Sequence, residues 1–268
     1  MNAYISLSYA DVALASSFLL LNALFSVLLH LRLERQLIIS AMRMVVQLRL
    51  VGLILKTGFA VASPWVTLLV AAVMVGFAGR EIWARQERKL KGVWGAGLGS
   101  TSMLLAGSVV TVFALTAQLN PTPWWSPQFA LPLFGMILGN TMTGVSLGLD
   151  TLHTTLYRER TAIEARLLLA HSRWDAVLPA SQRAIRSGFT PIINSMAATG
   201  VVSLPGMMTG QILSGVDPQE AVKYQLLITL LIGGATGLGV IVAVFASIWR
   251  LTDDRDRLRL DRLATPKG

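Results

Sequence analysis

Long apolar segments alternate with short polar gaps along the chain, and this alternation restricts its fold more than any other feature. At about 20 residues, such segments are long enough to cross a bilayer core as helices. With 53% hydrophobic and only 14% charged residues, the chain carries more apolar surface than a soluble core needs. We therefore predict an all-α integral membrane protein with about seven transmembrane helices. The predicted spans are Val12 to Leu31, Leu37 to Leu55, Trp65 to Ala78, Trp94 to Ala117, Phe129 to Leu149, Thr190 to Gly215 and Tyr224 to Trp249.

The basic residues predict an orientation for these spans. All but four of the 23 Lys and Arg residues follow the first, third, fifth or seventh span, the exceptions being Lys56, Lys223, Arg43 and Arg49. Because cytoplasmic connections are enriched in positive charge, the N-terminus is predicted to be outside and the C-terminus cytoplasmic. Residues 1–250 are expected to form one polytopic membrane domain, and residues 251–268 a basic cytoplasmic tail. The net charge of +9 is spread over these gaps and does not indicate nucleic-acid binding.

Two further features concern helix packing. The second span contains Arg43 and Arg49, and charges at membrane depth are costly, so this helix is expected to face protein or water along one side. Glycines also recur at four-residue spacing within the spans, which allows helix backbones to approach closely. The pairs are Gly95/Gly99, Gly135/Gly139, Gly144/Gly148, Gly206/Gly210 and Gly233/Gly237.

The longest polar interval separates the fifth and sixth spans, and residues 158–188 are predicted to form a cytoplasmic coupling segment. No Pro or Gly occurs from Arg158 to Leu178, so one or two helices are expected there. A charged amphipathic helix in this position is usually a solvated linker. The alternative is a docking helix that enters a groove on a soluble partner. In that interpretation the contact residues are Glu164, Ala165, Leu167, Ala170 and Ser172.

The sequence predicts a helix break at Ser203-Leu-Pro-Gly206 within the sixth span. Pro205 cannot donate a backbone hydrogen bond, and a helix from about Arg186 rises roughly 22 Å by Val201, which places the break well inside the membrane. Interrupted helices at depth often line transport paths, whereas the simpler alternative is a kink. The predicted gate and path residues are Ser203, Pro205, Gly206, Met207, Met208 and Gly210, with Asn140 and Met142 on the fifth span.

A resident metal site is not assigned from the sequence. The three histidines do not cluster within the spans, and methionine is more often a packing residue than a ligand. Thioether sulfur and amide oxygen can nevertheless make weak, transient contacts to a passing cation. The candidates for such contacts are Met207, Met208, Asn140 and Asn194.

The residues from Gly200 to Pro218, followed by Ala221-Val-Lys-Tyr-Gln225, resemble the signature of the FetB-type iron-export permeases. These are membrane subunits of ATP-binding-cassette (ABC) transporters, related to plant aluminium-resistance half-transporters. Two positions depart from the family pattern: Ala170 replaces a glycine in the coupling loop, and Ala197 stands where a lysine is expected. Supporting matches are Arg43, Gln47, Gly139, Asn140, Met142, Glu164, Leu167 and Leu169.

The resemblance implies a multi-pass permease of the inner (plasma) membrane that pairs with a second copy of itself and with a separate ATPase. It implies export of iron or another metal and no cofactor in this chain. The sequence contains no Gly-x-x-x-x-Gly-Lys-Ser/Thr loop, so the chain is not expected to be an ATP-hydrolysing enzyme. The alternative is a secondary transporter or channel for a small solute, working without an ATPase. An intramembrane hydrolase using Ser203 would lack a base within the spans.

Overall fold

A computed structural model of the protein describes residues 8–61, 63–253 and 255–264, and the side chains of 54–61 are left out of the description. Nine α-helices occur in these residues, and no β-strand does. Their bounds are α1 Tyr9–Leu28, α2 Glu34–Val61, α3 Pro64–Arg85, α4 Val93–Phe113, α5 Pro127–Arg158, α6 Arg160–Leu168, α7 Arg173–Ala198, α8 Gly206–Leu213 and α9 Pro218–Leu251. A π-helical turn, Ala114–Leu119, continues α4, and a 3₁₀ turn, Leu260–Arg262, lies in the tail.

The chain divides into two compact units, of which the first comprises Met1–Ala62 with Leu213–Gly215. Its described core is the antiparallel hairpin of α1 and α2. Ser8 caps α1, since its backbone N–H donates to the Asp11 carboxylate at 2.8 Å while its hydroxyl accepts from the Asp11 amide. The guanidinium of Arg49 lies 5.4 Å from the ring centroid of Tyr9. One of the two arginines predicted to lie within a span therefore has an aromatic partner inside its own hairpin.

The second unit, Ser63–Ile212 with Val216–Gly268, is built around α5. α5 and α9 run parallel, because Thr141 packs against Gly239 near the middle of both helices and His153 bonds to Ser247 at 2.7 Å nearer their C-terminal ends. α7 is antiparallel to both helices, and α4 is antiparallel to α5. The largest buried side chains come from α3, α4, α5, α7 and α9 together, so the five helices share one apolar core.

In the part of the chain that the structure describes, six helices are long and apolar enough to cross a membrane, namely α1, Glu34–Leu53 of α2, α3, Val93–Leu119, α5 and α9. The prediction of an all-α multi-pass membrane protein is confirmed. α7 does not reach the same apolarity, yet α5 and α9 are parallel, so the chain must return across the bundle between them. α7 makes this return, so the described residues of the second unit include five bundle-length helices, α3, α4, α5, α7 and α9.

The boundaries predicted for the sixth span are wrong. Thr190 to Gly215 is not one helix, because α7 occupies Arg173–Ala198 and α8 occupies Gly206–Leu213. The predicted span was placed too close to the C-terminus because the residues after Ile192 are more apolar than those before it. The helix that crosses the bundle begins at Arg173, 17 residues before the predicted start at Thr190.

Tryptophan positions mark the two ends of the bundle. Each of the seven tryptophans lies within two residues of a helix terminus or in the loop before α5. Trp65 and Trp83 stand at opposite ends of α3, separated by about 27 Å of helix, close to the roughly 30 Å thickness of a bilayer core. Tryptophan is enriched at membrane–water boundaries, so this arrangement agrees with a bundle that crosses a bilayer.

The described tail, up to Ala264, folds back on the bundle. Leu263 is buried, the amide of Lys91 donates to the carbonyl of Arg262 at 2.8 Å, and the amide of Ala264 donates to the carbonyl of Lys89 at 2.7 Å. The tail therefore pairs with the loop between α3 and α4.

Candidate translocation path and docking surface

Glycines allow α5, α7 and α9 to meet at very short distance. A Cβ placed on Gly144 would lie 2.9 Å from the carbonyl oxygen of Gly188 and 2.6 Å from Cγ2 of Thr236. A Cβ on Gly188 would lie 2.8 Å from the carbonyl oxygen of Gly144. The prediction of close backbone packing is confirmed at Gly144. It is wrong at Gly139, Gly206 and Gly210, where an added Cβ would meet no atom within 4 Å.

One face of α5 carries exposed polar and small residues in the middle of the helix. Asn140 is exposed and its side-chain amide donates to the carbonyl of Met136 at 2.9 Å. Thr143 is half-buried and its hydroxyl donates to the carbonyl of Gly139 at 3.1 Å. Both side chains bond to their own helix, which lowers the cost of holding polar atoms at this depth. Met142, predicted to line a path, is half-buried against the core.

The matching feature of α7 is an exposed polar stripe with four-residue spacing. A hydrogen bond of 2.9 Å from the Thr151 hydroxyl to that of Ser187 joins α5 and α7 beside it. With Gly144 against Gly188, the antiparallel register places Asn140 and Asn194 within about one turn of the same level. The two predicted contact residues therefore belong to neighbouring helices at one depth. The stripe consists of Gln182, Arg186, Thr190 and Asn194.

The predicted helix break exists, and it is a loop rather than a kink. α7 ends at Ala198 and α8 begins at Gly206. In the loop between them Gly200 has a φ of 92°, and the amide of Gly200 donates to the carbonyl of Ser203 at 2.9 Å. The expected position deep in the membrane is wrong, because α7 starts at Arg173 and not near Arg186. Continuing the register from the Gly144–Gly188 contact, Gly200 is level with Pro132, near the start of α5.

The remaining predicted gate residues surround this loop. Ser203, Gly206 and Gly210 are exposed, whereas Pro205, Met207 and Met208 are half-buried. Met207 packs against the smaller apolar cluster, which includes Leu115, Ala130 and Ile228. The two methionines thus lie at the end of the bundle, several turns from Asn140. The structure does not gather the four predicted metal contacts into one site, and the described residues include no group of three His, Asp or Glu able to hold a metal ion.

The coupling segment contains one short helix, α6, that leaves the bundle after α5. Glu164, Ala165, Ala170 and Ser172 are exposed, in agreement with a contact surface, but Leu167 is half-buried against the core. The exposed apolar residues are instead Leu168 and Leu169, at 87% and 76% exposure. The sequence alone could not show which of the three consecutive leucines is exposed. The rotation of so short a helix about its axis depends on where the buried Ile163 anchors it.

α6 ends in a Schellman motif with an unusual residue at its left-handed position. The amide of Ala170 donates to the carbonyl of Leu167 at 3.1 Å, and the amide of His171 donates to that of Arg166 at 3.2 Å. Ala170 therefore has a φ of 63°, a conformation that glycine adopts without steric cost. Ser172 then caps α7 by accepting from the Asp175 amide at 3.2 Å. Hydrogen bonds therefore hold the turn on both sides, although Ala170 occupies a backbone conformation that favours glycine.

An ion pair that the sequence did not indicate holds the base of α6. The guanidinium of Arg183 on α7 donates to both carboxylate oxygens of Glu159, one of them at 2.7 Å. This bond from Arg183 lowers the pKa of Glu159, against a smaller opposing effect of desolvation. Spacing of 24 residues across a helix–turn–helix gives no local sequence signal for such a pair.

A fully buried histidine fastens the same end of the bundle. One ring nitrogen of His153 lies 2.9 Å from the carbonyl of Arg88, and the other lies 2.7 Å from the Ser247 hydroxyl. Both nitrogens are thus engaged in hydrogen bonds that join α5 to α9 and to the α3–α4 loop.

The fold and these surfaces define a polytopic α-helical membrane protein with a polar face on its bundle and a short helical arm outside it. The chain belongs to the family described as Uncharacterised protein family (UPF0014), whose model matches residues 9–251. The expected relation to the FetB-type permeases is confirmed by the relatives that follow.

A UPF0014 membrane protein of Synechocystis is 36% identical over 254 residues, covering 93% of this chain and 95% of that protein. The probable iron export permease protein FetB of Escherichia coli is 30% identical over 263 residues, covering 98% and 99%. The protein ALUMINUM SENSITIVE 3 of Arabidopsis thaliana is 31% identical over 218 residues, covering 81% and 78%. No solved structure matches the chain. The chain is thus a multi-pass membrane protein of this family, and one of its relatives is named a probable iron export permease.

Proposed function

We propose that this protein is the membrane-spanning permease of an ABC transporter, and that a separate ATPase docks on α6. The observation that carries the proposal is the exposed leucine pair at the tip of α6, outside the bundle. Leu168 and Leu169 are 87% and 76% exposed beside the exposed carboxylate of Glu164. An amphipathic helix that presents apolar side chains in this way fits a groove of a soluble partner.

The anchoring of α6 supports the same proposal. Ile163 is buried, Glu159 is bound by Arg183, and the guanidinium of Arg166 donates to the carbonyl of Ala176 at 3.1 Å. A solvated linker does not need three attachments to the bundle. A helix that transmits movement from an ATPase does, because displacement of its tip must reach α5 and α7.

The polar faces of α5 and α7 support a pair of permease copies with the path between them. Asn140, Arg186 and Asn194 are exposed on bundle-length helices, where contact with lipid would be costly. Facing a second copy across a water-filled path would solvate them. In this arrangement Asn140 and Asn194 offer oxygen donors to a cation, while the α7–α8 loop with Ser203, Pro205, Gly206, Met207, Met208 and Gly210 forms its gate at the bundle end.

We infer iron, or another metal ion, as the exported substrate, in the inner membrane of the cell. The relative named a probable iron export permease is aligned over nearly the whole of both chains, which supports this choice. Amide and carbonyl oxygen contacts suit transient passage better than retention.

The docking proposal is tested by co-purification of the ATPase with variants of the full chain. Glu164→Lys combined with Leu168→Asp reverses the charge of residue 164 and replaces the more exposed of the two leucines by a carboxylate, without changing the buried face of α6. We expect loss of the ATPase from the purified complex and loss of ATP-driven metal transport in vesicles. Val93→Asp is the matched control, because Val93 is 87% exposed at the start of α4, outside both α6 and the proposed path. The control should retain the ATPase.

Three outcomes contradict this function. Normal co-purification and ATP turnover in the double variant would remove α6 as the docking site. Metal transport by the purified chain alone would favour a secondary transporter or channel. A complex that hydrolyses ATP only with an organic solute, across a panel of metals and solutes, would retain the ABC class and reject the metal.

A further inference from the structure

A small cavity lined by three arginine residues lies where the tail meets the start of α7 and the end of α9. Its volume is about 170 Å³. None of the predicted path or docking residues borders it. The lining residues are Arg173, Trp249, Arg250, Thr252, Asp253 and Arg262.

The charges in the cavity favour an anion. Asp253 is the single carboxylate among the described lining residues, and it already accepts bonds from the amide and the guanidinium of Arg257, at 2.9 and 3.0 Å. The three arginine side chains are half-buried, so water screens them less than it would at an open surface. Planar guanidinium groups bind phosphate through paired charge-assisted hydrogen bonds.

The cavity lies beside exposed tryptophans and basic side chains at one end of the bundle. Trp249 is 58% exposed beside it, and the guanidinium of Arg250 lies 5.0 Å from the ring centroid of Trp94, which is also exposed. Trp83 stands at the same end of the bundle with the ammonium of Lys89 4.0 Å from its ring. Exposed tryptophans next to basic side chains mark the water–lipid boundary, and basic pockets there bind anionic lipids.

We propose that this cavity binds a phosphate group, supplied by the headgroup of an anionic phospholipid on the tail side of the membrane. Arg173, Arg250 and Arg262 surround the phosphate, and the acyl chains lie along the exposed face near Trp249. The site is separate from the metal path and does not depend on the identity of the exported substrate.

A bound lipid would connect the tail to the docking arm. Arg173 is the first residue of α7, directly after the turn that ends α6, and its amide donates to the Asp256 carboxylate of the tail at 3.1 Å. Arg262 lies in the tail, and its guanidinium donates to the carbonyl of Arg250 on α9. A phosphate held by both arginines therefore fixes the tail against the start of α7, next to the turn that follows the tip of α6.

Native mass spectrometry of the purified full chain with dioleoyl phosphatidylglycerol tests the proposal. We expect one tightly bound lipid per chain, and about tenfold weaker binding in Arg250→Gln, the scale of a lost charge-assisted hydrogen bond. Arg250→Lys should keep an intermediate affinity. Arg85→Gln is the matched control, since Arg85 is an exposed cation at the same end of the bundle but outside the cavity.

Hydrogen exchange provides the second measurement. Bound phosphatidylglycerol should slow exchange at the Lys91 and Ala264 amides, which pair the tail with the α3–α4 loop, and should do so in the control but not in Arg250→Gln. Equal binding of phosphatidylcholine, or unchanged affinity in a folded Arg250→Gln variant, would overturn the proposal. Glycerol 3-phosphate binding as tightly as the lipid would reject the membrane as the source of the phosphate.

Discussion

Replacing Gly144 by alanine tests the packing that defines the bundle. The new Cβ would lie 2.9 Å from a backbone oxygen of α7 and 2.6 Å from a side-chain carbon of the buried Thr236 on α9. Neither neighbour is the flexible end of a long side chain, so two helices must move. Overpacking of this kind costs about 1–3 kcal/mol, and we expect the upper half of that range.

Gly139→Ala is the matched control for this variant, because it lies on the same helix with no atom within 4 Å of its added Cβ. Both variants gain about 1 kcal/mol of helix propensity, so this contribution cancels in their difference. The remaining difference of about 2–3 kcal/mol corresponds to a midpoint about 4–12 °C lower for Gly144→Ala. Thermal unfolding followed by tryptophan fluorescence in detergent measures it. Equal midpoints for the two variants would refute the close contact of α5, α7 and α9.

Three further predictions concern the arm and the topology. Ala170→Gly should relieve the left-handed strain and slow hydrogen exchange of the His171 amide about fivefold, the equivalent of about 1 kcal/mol; faster exchange would contradict the motif. Because the pKa of Glu159 is lowered, its carboxylate is ionised and bonded to Arg183 above the ordinary pKa of 4.5, and this bond is lost as pH falls through the lowered pKa. We therefore expect the hydrogen-exchange protection of α6 to depend on pH only in that acid range. Glu159→Gln should lack this protection already at neutral pH. Because the chain has no cysteine, a single cysteine that replaces Lys89 or Thr122, or that is added after Gly268, can be labelled selectively. We expect the cysteines at position 89 and at the C-terminus to be labelled from the cytoplasm, and the cysteine at position 122 from outside. Labelling of positions 89 and 122 from the same side would exclude seven crossings.

The helices with apolar surroundings were predictable from sequence because their signal is local. α4 with its π turn covers Val93–Leu119, against a predicted span of Trp94 to Ala117, and α9 covers Pro218–Leu251, against Tyr224 to Trp249. Apolar length is sufficient to find such helices. It does not give their ends, since α5 extends nine residues past Leu149 as a polar helix outside the apolar stretch.

Contacts between distant residues were not predictable in the same way. The tail looked like a basic extension, yet Leu263 is buried and pairs with Leu90. The Glu159–Arg183 ion pair and the three-arginine cavity likewise depend on how helices return to one another. In each case the contact joins residues that are far apart in the chain, so no local sequence pattern indicates it.

The failure to locate the sixth span has a physical cause that bears on function. A crossing helix can be recognised by apolarity only when most of its surface meets lipid or an apolar core. α7 buries Ala176, Ala184 and Gly188 against α5 and α9 and presents polar residues on its opposite side. Burial on one face and polarity on the other are what a path-lining helix requires, because lipid would tolerate neither Arg186 nor Asn194 well. The polarity that excludes α7 from the apolar helices is thus the property that supports its proposed place in the path.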